Sequence, residues 1–165
     1  MEQTNLIGSL TPGTVLPDIA PEPITRERIL DYAGASGDFN PMHVDEVTNV
    51  TSGLGGVFAH GMLGTGFLGR VVTDHLGDIP LTSLSVRCTK IVRPGSVLSC
   101  GGTILQRAVE GQTARVLFGL RAVDEEGDVT HEGTATIGLP LQTLAQFTAD
   151  SLDESSPLVR WRAIG

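Results

Sequence analysis

Gly61-Met62-Leu63-Gly64-Thr65-Gly66-Phe67-Leu68-Gly69-Arg70-Val71-Val72-Thr73-Asp74-His75-Leu76 is the stretch on which the fold turns. Its apolar residues Met62, Leu63, Phe67, Leu68, Val71, Val72 and Leu76 recur at helical spacing over about four turns, which predicts one long helix. Gly64, Gly66 and Gly69 should each weaken that helix by roughly 1 kcal/mol relative to Ala, unless the missing side chain lets another backbone approach closely. Close packing against a curved sheet is the expected compensation. The run Gly64-Thr65-Gly66-Phe67-Leu68-Gly69 also spells G-x-G-x-x-G, the dinucleotide fingerprint. Its context does not fit. The fingerprint follows a buried strand and carries an acidic residue about 20 positions later, whereas Leu84 to Thr89 contain none. We read the glycines as packing residues. Neither a P-loop nor a G-x-S-x-G nucleophile elbow is present.

Outward from this helix, the chain from Leu81 to Leu139 reads as strand. The runs Leu81 to Val92, Val97 to Val109, Thr113 to Val123 and Val129 to Ile137 are divided by Pro94-Gly95, Glu110-Gly111 and Asp124-Glu125-Glu126-Gly127, which predicts an antiparallel meander. One helix followed by successive hairpins argues for an α+β fold rather than a doubly wound one. Upstream, Thr25 can cap a helix carrying Ile29, Tyr32 and Ala33, ending near Gly34 or Gly37 and delivering Asp38 to its C-terminal side. Residues 1–23 read as an irregular lead-in broken by Pro12-Gly13, Pro17, Pro21 and Pro23, with a short strand at Thr14 to Ile19. Residues 44–59 read as a loop with one short helical turn. Residues 140–165 form a tail with a short helix near Leu141 to Thr148, docked by Trp161. The expected organisation is one domain over 1–139 with a C-terminal extension over 140–165, and no internal repeat.

At 165 residues the chain is long enough to bury a single core without a covalent staple. A formal charge of −8 argues against nucleic acid as a partner, which needs a concentrated positive surface. It leaves room for an anionic ligand met by a few local cations, and Arg87, Lys90 and Arg93 form the densest basic cluster. Cys88 and Cys100 are the only cysteines and lack metal-ligand spacing, so two buried reduced thiols are expected. The residues from Met1 to Leu10 show no basic region followed by an apolar run, which gives a cytoplasmic reading.

The chemistry-bearing stretch is Ala35-Ser36-Gly37-Asp38-Phe39-Asn40-Pro41-Met42-His43, with Ala59-His60-Gly61-Met62-Leu63 after it. A carboxylate and an imidazole five positions apart on a turn can be aimed at one small volume, and an imidazole titrating near 6.5 suits proton transfer at neutral pH. The same run is also a good turn, in which Asp38 and Asn40 satisfy backbone amides and His43 lies at the surface. His60-Gly61 tips the balance. The amide of Gly61, at the start of a buried helix, is a natural donor to developing negative charge. His60 itself reads more simply as a helix-start residue with a satisfied ring.

Tyr32 to His43 resembles the hydratase 2 motif of the MaoC-like (R)-specific enoyl thioester hydratases and dehydratases. Phe58 to Leu63 resembles the second motif, which opens their central helix, and the likeness continues through Ser85-Val86-Arg87 and Val92-Arg93-Pro94-Gly95 over roughly residues 10–139. The mycolic-acid dehydratase subunits of mycobacteria are similar in length and layout. The resemblance implies a hot-dog fold, an antiparallel sheet wrapped around the long helix. It implies reversible addition of water across a trans-2-enoyl thioester, with Asp38 and His43 as the catalytic pair and the Gly61 amide polarising the thioester carbonyl. Their division into acid and base stays open. Asn40, His60, Arg87, Lys90 and Arg93 complete the expected substrate-binding set, the three cations meeting phosphates of coenzyme A or of an acyl carrier protein's arm. No metal or redox cofactor is implied. A homodimer, or a heterodimer with a related hot-dog subunit, is the implied assembly. Two readings compete with an active hydratase: a non-catalytic partner subunit of a heteromeric dehydratase, and a hot-dog thioesterase. One departure stands out: where the family often has small polar residues along the central helix, this chain has Gly64, Gly66 and Gly69, with Thr65 the only hydroxyl.

Overall fold

The computed structural model describes residues 10–77 and 79–142, without the side chains of residues 20–22. In chain order the elements are β1 (Val15–Pro23), α1 (Arg26–Ser36), α2 (Pro41–Val44), α3 (Glu46–Thr51), α4 (Gly61–Leu76), β2 (Leu81–Cys88), β3 (Val97–Glu110), β4 (Thr113–Val123) and β5 (Val129–Pro140). All strand pairs are antiparallel and form one sheet in the order β1-β3-β4-β5-β2. This is an α+β hot-dog fold.

Helix α4 is the filling. Leu68, Val71, Val72 and Leu76 recur on one side of it and are buried. They meet the inward residues Val116, Phe118, Leu120 and Ala122 of β4 and Ala135, Ile137 and Leu139 of β5 in one core. Each fully buried aliphatic side chain there contributes about 1.5–3 kcal/mol, which outweighs the helix-weakening glycines. Gly64 and Gly69 do face the sheet, at His131 and Leu84 respectively, whereas a side chain at Gly66 would meet open space. Close approach therefore explains Gly64 best, Gly69 partly, and Gly66 not at all.

The order of the sheet departs from a simple meander. Only β3, β4 and β5 follow one another as hairpins; β2 pairs with β5 at the far edge, so the chain around Pro94-Gly95 is a crossover rather than a hairpin turn. Its backbone bonds go elsewhere, which is why the ladder cannot form: Ala59 N–H donates to Val92 O, Ile24 N–H to Ser96 O and Gly95 N–H to Ile24 O. β2 accordingly ends at Cys88, four residues short of the expected run. At the other edge, β1 continues through Pro17, Pro21 and Pro23, where the sequence predicts a short strand in an irregular lead-in. Among the described residues it pairs only with β3, and it has two register shifts, the setting in which a strand tolerates missing N–H donors.

Helix α1 starts and stops on sequence signals. Thr25 accepts from Arg28 N–H at the start, and Gly37 adopts the left-handed conformation (φ 74°) at the end. The stretch read as a loop after His43 holds α3 as well as the last residue of α2. The tail helix expected from Leu141 to Thr148 and the docking of Trp161 lie outside the described residues, apart from Leu141 and Gln142. Among the described residues no helix is long and apolar enough to cross a membrane.

Candidate active site

Three short caps in succession set the geometry. After Gly37 turns the chain, Asp38 N–H donates to Ser36 Oγ and Asn40 N–H to Asp38 Oδ1. Asn40 then caps α2 by accepting from Met42 N–H, with Pro41 at the first helical position. The turn chemistry and the chemical reading of Asp38 are thus compatible: one carboxylate oxygen stabilises the turn while the side chain stays exposed. His43, one helical turn on, is buried rather than at the surface. Asn49 holds that helix down. Its buried amide donates to the Pro41 and Met42 carbonyls at 3.2 and 2.9 Å.

His43 and His60 stack, with ring centroids 3.8 Å apart and 30° between planes. Each ring donates one N–H to a backbone carbonyl: His43 Nδ1 to Phe58 O at 2.8 Å and His60 Nε2 to Asp38 O at 2.9 Å. A carbonyl can only accept, so these bonds leave the lone pair on His43 Nε2 and on His60 Nδ1. His60 Nδ1 is buried and finds no partner among the described residues. One donor atom from each of Asp38, His43 and His60 lies within 4.8 Å of the others. Such a set can hold one water molecule, and its donor chemistry would equally suit a small cation. Tyr32 packs against His60, and Phe58 meets His43 edge-on.

Gly61 opens α4, with His60 at the N-cap making no side-chain cap. Its N–H has no acceptor among the described residues, leaving it available to a ligand. Beside it lies a cavity of about 240 Å³, lined on this side by Phe58, His60, Gly61 and Gly64 and on the other by Cys88, Lys90 and His131. Asp38 and His43 do not line it; His60, stacked on His43, does.

The three cations do not assemble into one patch. Lys90 is clasped by Asp124, Glu126 and Asp128 at 2.6, 3.0 and 2.8 Å, and their hydrogen bonds raise its pKa strongly. Arg93 donates to the carbonyls of Leu54, Gly56 and Val57 and so shapes the loop that presents Phe58 O to His43. Arg87 is exposed on β2 and makes no ion pair or hydrogen bond among the described residues. The expectation of two buried thiols also needs correcting. Cys100 is buried, its pKa pushed up to about 11 by burial and then by the Asp18 charge, but Cys88 is exposed on β2 beside Gly61. Edge position explains this: β2 has no partner strand on its outer side.

His131 and Asn49 were not singled out by the sequence reading. His131 is buried, and burial pushes its imidazole pKa down, opposed by the backbone of Gly61. The signal available for it was an imidazole inside the strand run Val129 to Ile137. For Asn49 no periodic signal existed.

Comparison with known proteins agrees with the geometry. Residues 9–124 match the MaoC-like domain family. A probable enoyl-CoA hydratase 2 of Dictyostelium discoideum is 32% identical over 89 residues, 49% of this chain and 30% of that protein, so the chain spans less than a third of that relative. The unliganded R-hydratase PhaJ1 of Pseudomonas aeruginosa superimposes with a TM-score of 0.72 at 23% identity, covering 81% of this chain and 84% of that one. The C-terminally truncated HadBC complex of Mycobacterium tuberculosis, a 3R-hydroxyacyl-ACP dehydratase, gives 0.67 at 17% identity, covering 78% and 96%. With the family matched over most of its length and a hot-dog sheet wrapped on α4, the chain belongs to the MaoC-like dehydratase family.

Proposed function

We propose that this chain adds water reversibly across the double bond of trans-2-enoyl thioesters to give (R)-3-hydroxyacyl thioesters. The observation that carries the reading is the convergence of Asp38, His43 and His60 within 4.8 Å, next to the unengaged amide of Gly61. In the hydration direction a water held between Asp38 and His43 gives one proton to the basic partner as its oxygen bonds to C3. The π electrons move toward C2, which takes a proton from the acidic partner, and the thioester carbonyl carries the transient negative charge. Hydrogen bonding to the Gly61 amide, reinforced by the α4 dipole, stabilises that charge. Either residue can serve as base, since the pair shares one water. His60 buttresses His43 by stacking, and no step requires a metal or redox group.

The test uses crotonyl-CoA, followed by loss of the conjugated enoyl absorbance with a chelator present. Turnover is expected, and Asp38→Asn and His43→Ala are each expected to lower kcat/KM about 100-fold or more. Absence of turnover on short and long enoyl thioesters, or release of free thiol instead, would overturn the reading in favour of a partner subunit or a thioesterase.

The acyl group is proposed to ride on coenzyme A or on a carrier protein. Arg87 is the cation left free for its phosphates; Lys90 and Arg93 hold the scaffold. We further propose that two hot-dog subunits pair, identical or related, as the exposed outer edge at β2 and the exposed side chains of Met62 and Leu84 suggest. Native mass spectrometry is expected to return twice the chain mass, or a heterodimer when a related subunit is supplied. A monomer under both conditions would sink the pairing.

A further inference from the structure

His131 is a buried titratable group that the reaction outlined above does not use. It lies on β5 with 2% of its surface exposed, in register with Ala122 of β4 and Cys88 of β2. A bulge aims it. Ala122 pairs with His131 but Val123 pairs with Val129, so Thr130 is an extra residue and both Thr130 and His131 turn inward. The ring then occupies space that Gly64 leaves open on α4, where an added Cβ would overlap its Cε1–Nε2 edge. It forms part of the wall of the cavity beside Gly61.

Thr130 sets the tautomer. Its hydroxyl donates to Ala122 O at 3.3 Å, and its oxygen lies 3.0 Å from His131 Nδ1. A hydroxyl has one proton, so both bonds form together only if Nδ1–H donates to Thr130 Oγ1. Nε2 is then a bare acceptor, buried and without a partner among the described residues. The Gly61 carbonyl nearby falls outside hydrogen-bond geometry with Nε2 and is engaged by the Thr65 hydroxyl at 3.1 Å.

We propose that His131 contacts the substrate, its Nε2 accepting a hydrogen bond from a donor on an acyl thioester in this cavity. The donor is either the 3-hydroxyl of the hydroxyacyl form or an amide N–H of the pantetheine arm, and the inference rests on the hydratase reading given above. A buried acceptor lacking a partner disfavours the ligand-free state, and a ligand that brings the missing proton relieves it. Gly64 fits the same account, since it gives up helix propensity to seat this ring.

Steady-state kinetics of the full chain, His131→Leu and His131→Gln with (R)-3-hydroxybutyryl-CoA and crotonyl-CoA test the proposal. His131→Leu is expected to raise KM for the hydroxyacyl substrate about tenfold, the scale of one lost hydrogen bond, with kcat on crotonyl-CoA little changed. His131→Gln, which retains an acceptor near the Nε2 position, should recover most of the loss. A KM rise confined to the hydroxyacyl form assigns the 3-hydroxyl; an equal rise for both substrates assigns the pantetheine amide. Unchanged KM in an active His131→Leu enzyme, or equal loss in both variants, overturns the inference alone. A wild-type protein inactive on both thioesters defeats the hydratase reading, and this inference with it. Histidine ¹⁵N spectra of the wild-type protein remain informative if the variants do not fold. The Nε2 resonance should be that of an unprotonated nitrogen and shift on saturation with (R)-3-hydroxybutyryl-CoA. A protonated Nε2, or one that ignores saturation, overturns the proposal.

Discussion

The ring of His43 is held by Phe58 O and His60, and the short helix that carries it is tied down by one buried residue, Asn49. Two backbone carbonyls of α2 receive the Asn49 amide, which ties a four-residue helix to α3 where intrahelical bonds alone would be too few. Asn49→Ala should therefore destabilise the protein by about 2 kcal/mol through the loss of two side-chain hydrogen bonds, each carbonyl keeping one backbone donor. It should also lower kcat more than it raises KM, because His43 loses its position rather than its chemistry. Urea denaturation and crotonyl-CoA kinetics check the two halves; an unchanged midpoint would remove Asn49 from this role. Asp38, His43 and Gly61 were legible as candidates from residue type and spacing. That His43 would be buried, stacked on His60 and bonded to Phe58 O was not, since these contacts join residues 17 and 15 positions apart.

At the scale of the element, α4 is where sequence reading did best and where its glycines separate into different classes. Its bounds fall where the apolar periodicity places them, from Gly61 to Leu76. Gly66 faces open space, so Gly66→Ala should stabilise the helix by about 1 kcal/mol. Gly64→Ala should do the opposite, by about 1–3 kcal/mol of overpacking, because the new methyl overlaps the His131 ring and neither wall is free to retreat. Thermal or urea melts of the two variants decide this, and a stabilised Gly64→Ala protein would show that the ring is not seated as described. The strands were equally legible in number and in central span. Their ends were not: β2 stops early because Thr89 and Lys90 turn their amides to Thr130 O, and β1 runs on because an edge strand accommodates proline.

For the molecule as a whole, His131 and Asp124 contribute separable parts of its acid response. Burial holds the His131 pKa below its ordinary range, so the unfolded chain takes up a proton near pH 6.5 that the native protein refuses. Stability therefore falls as pH drops below about 6.5, a loss that His131→Gln should lack. The Asp124 carboxyl is held below its ordinary range, chiefly by the hydrogen bond from Lys90. Its contribution is complete above about pH 3.9 and is lost as pH falls through the lower folded value. Urea midpoints at pH 7, 5.5 and 3.5 for the wild type, His131→Gln and Asp124→Asn would separate the two, and parallel curves for all three proteins would refute both assignments. Lys90 illustrates the wider division. As a letter in a basic cluster it pointed to phosphate, yet the fold brings it to three carboxylates 34 to 38 positions away. By itself the sequence determined the long helix, the strand-rich half, the α+β class and the turn carrying Asp38 and His43, because periodicity, capping and turn chemistry act over a few neighbouring residues. The placement of β2 beside β5, the stacking of the two imidazoles, the engagement of Lys90 and Arg93 and the burial of His131 were decided only by tertiary structure, because each is a contact between chain segments whose separation no local pattern encodes.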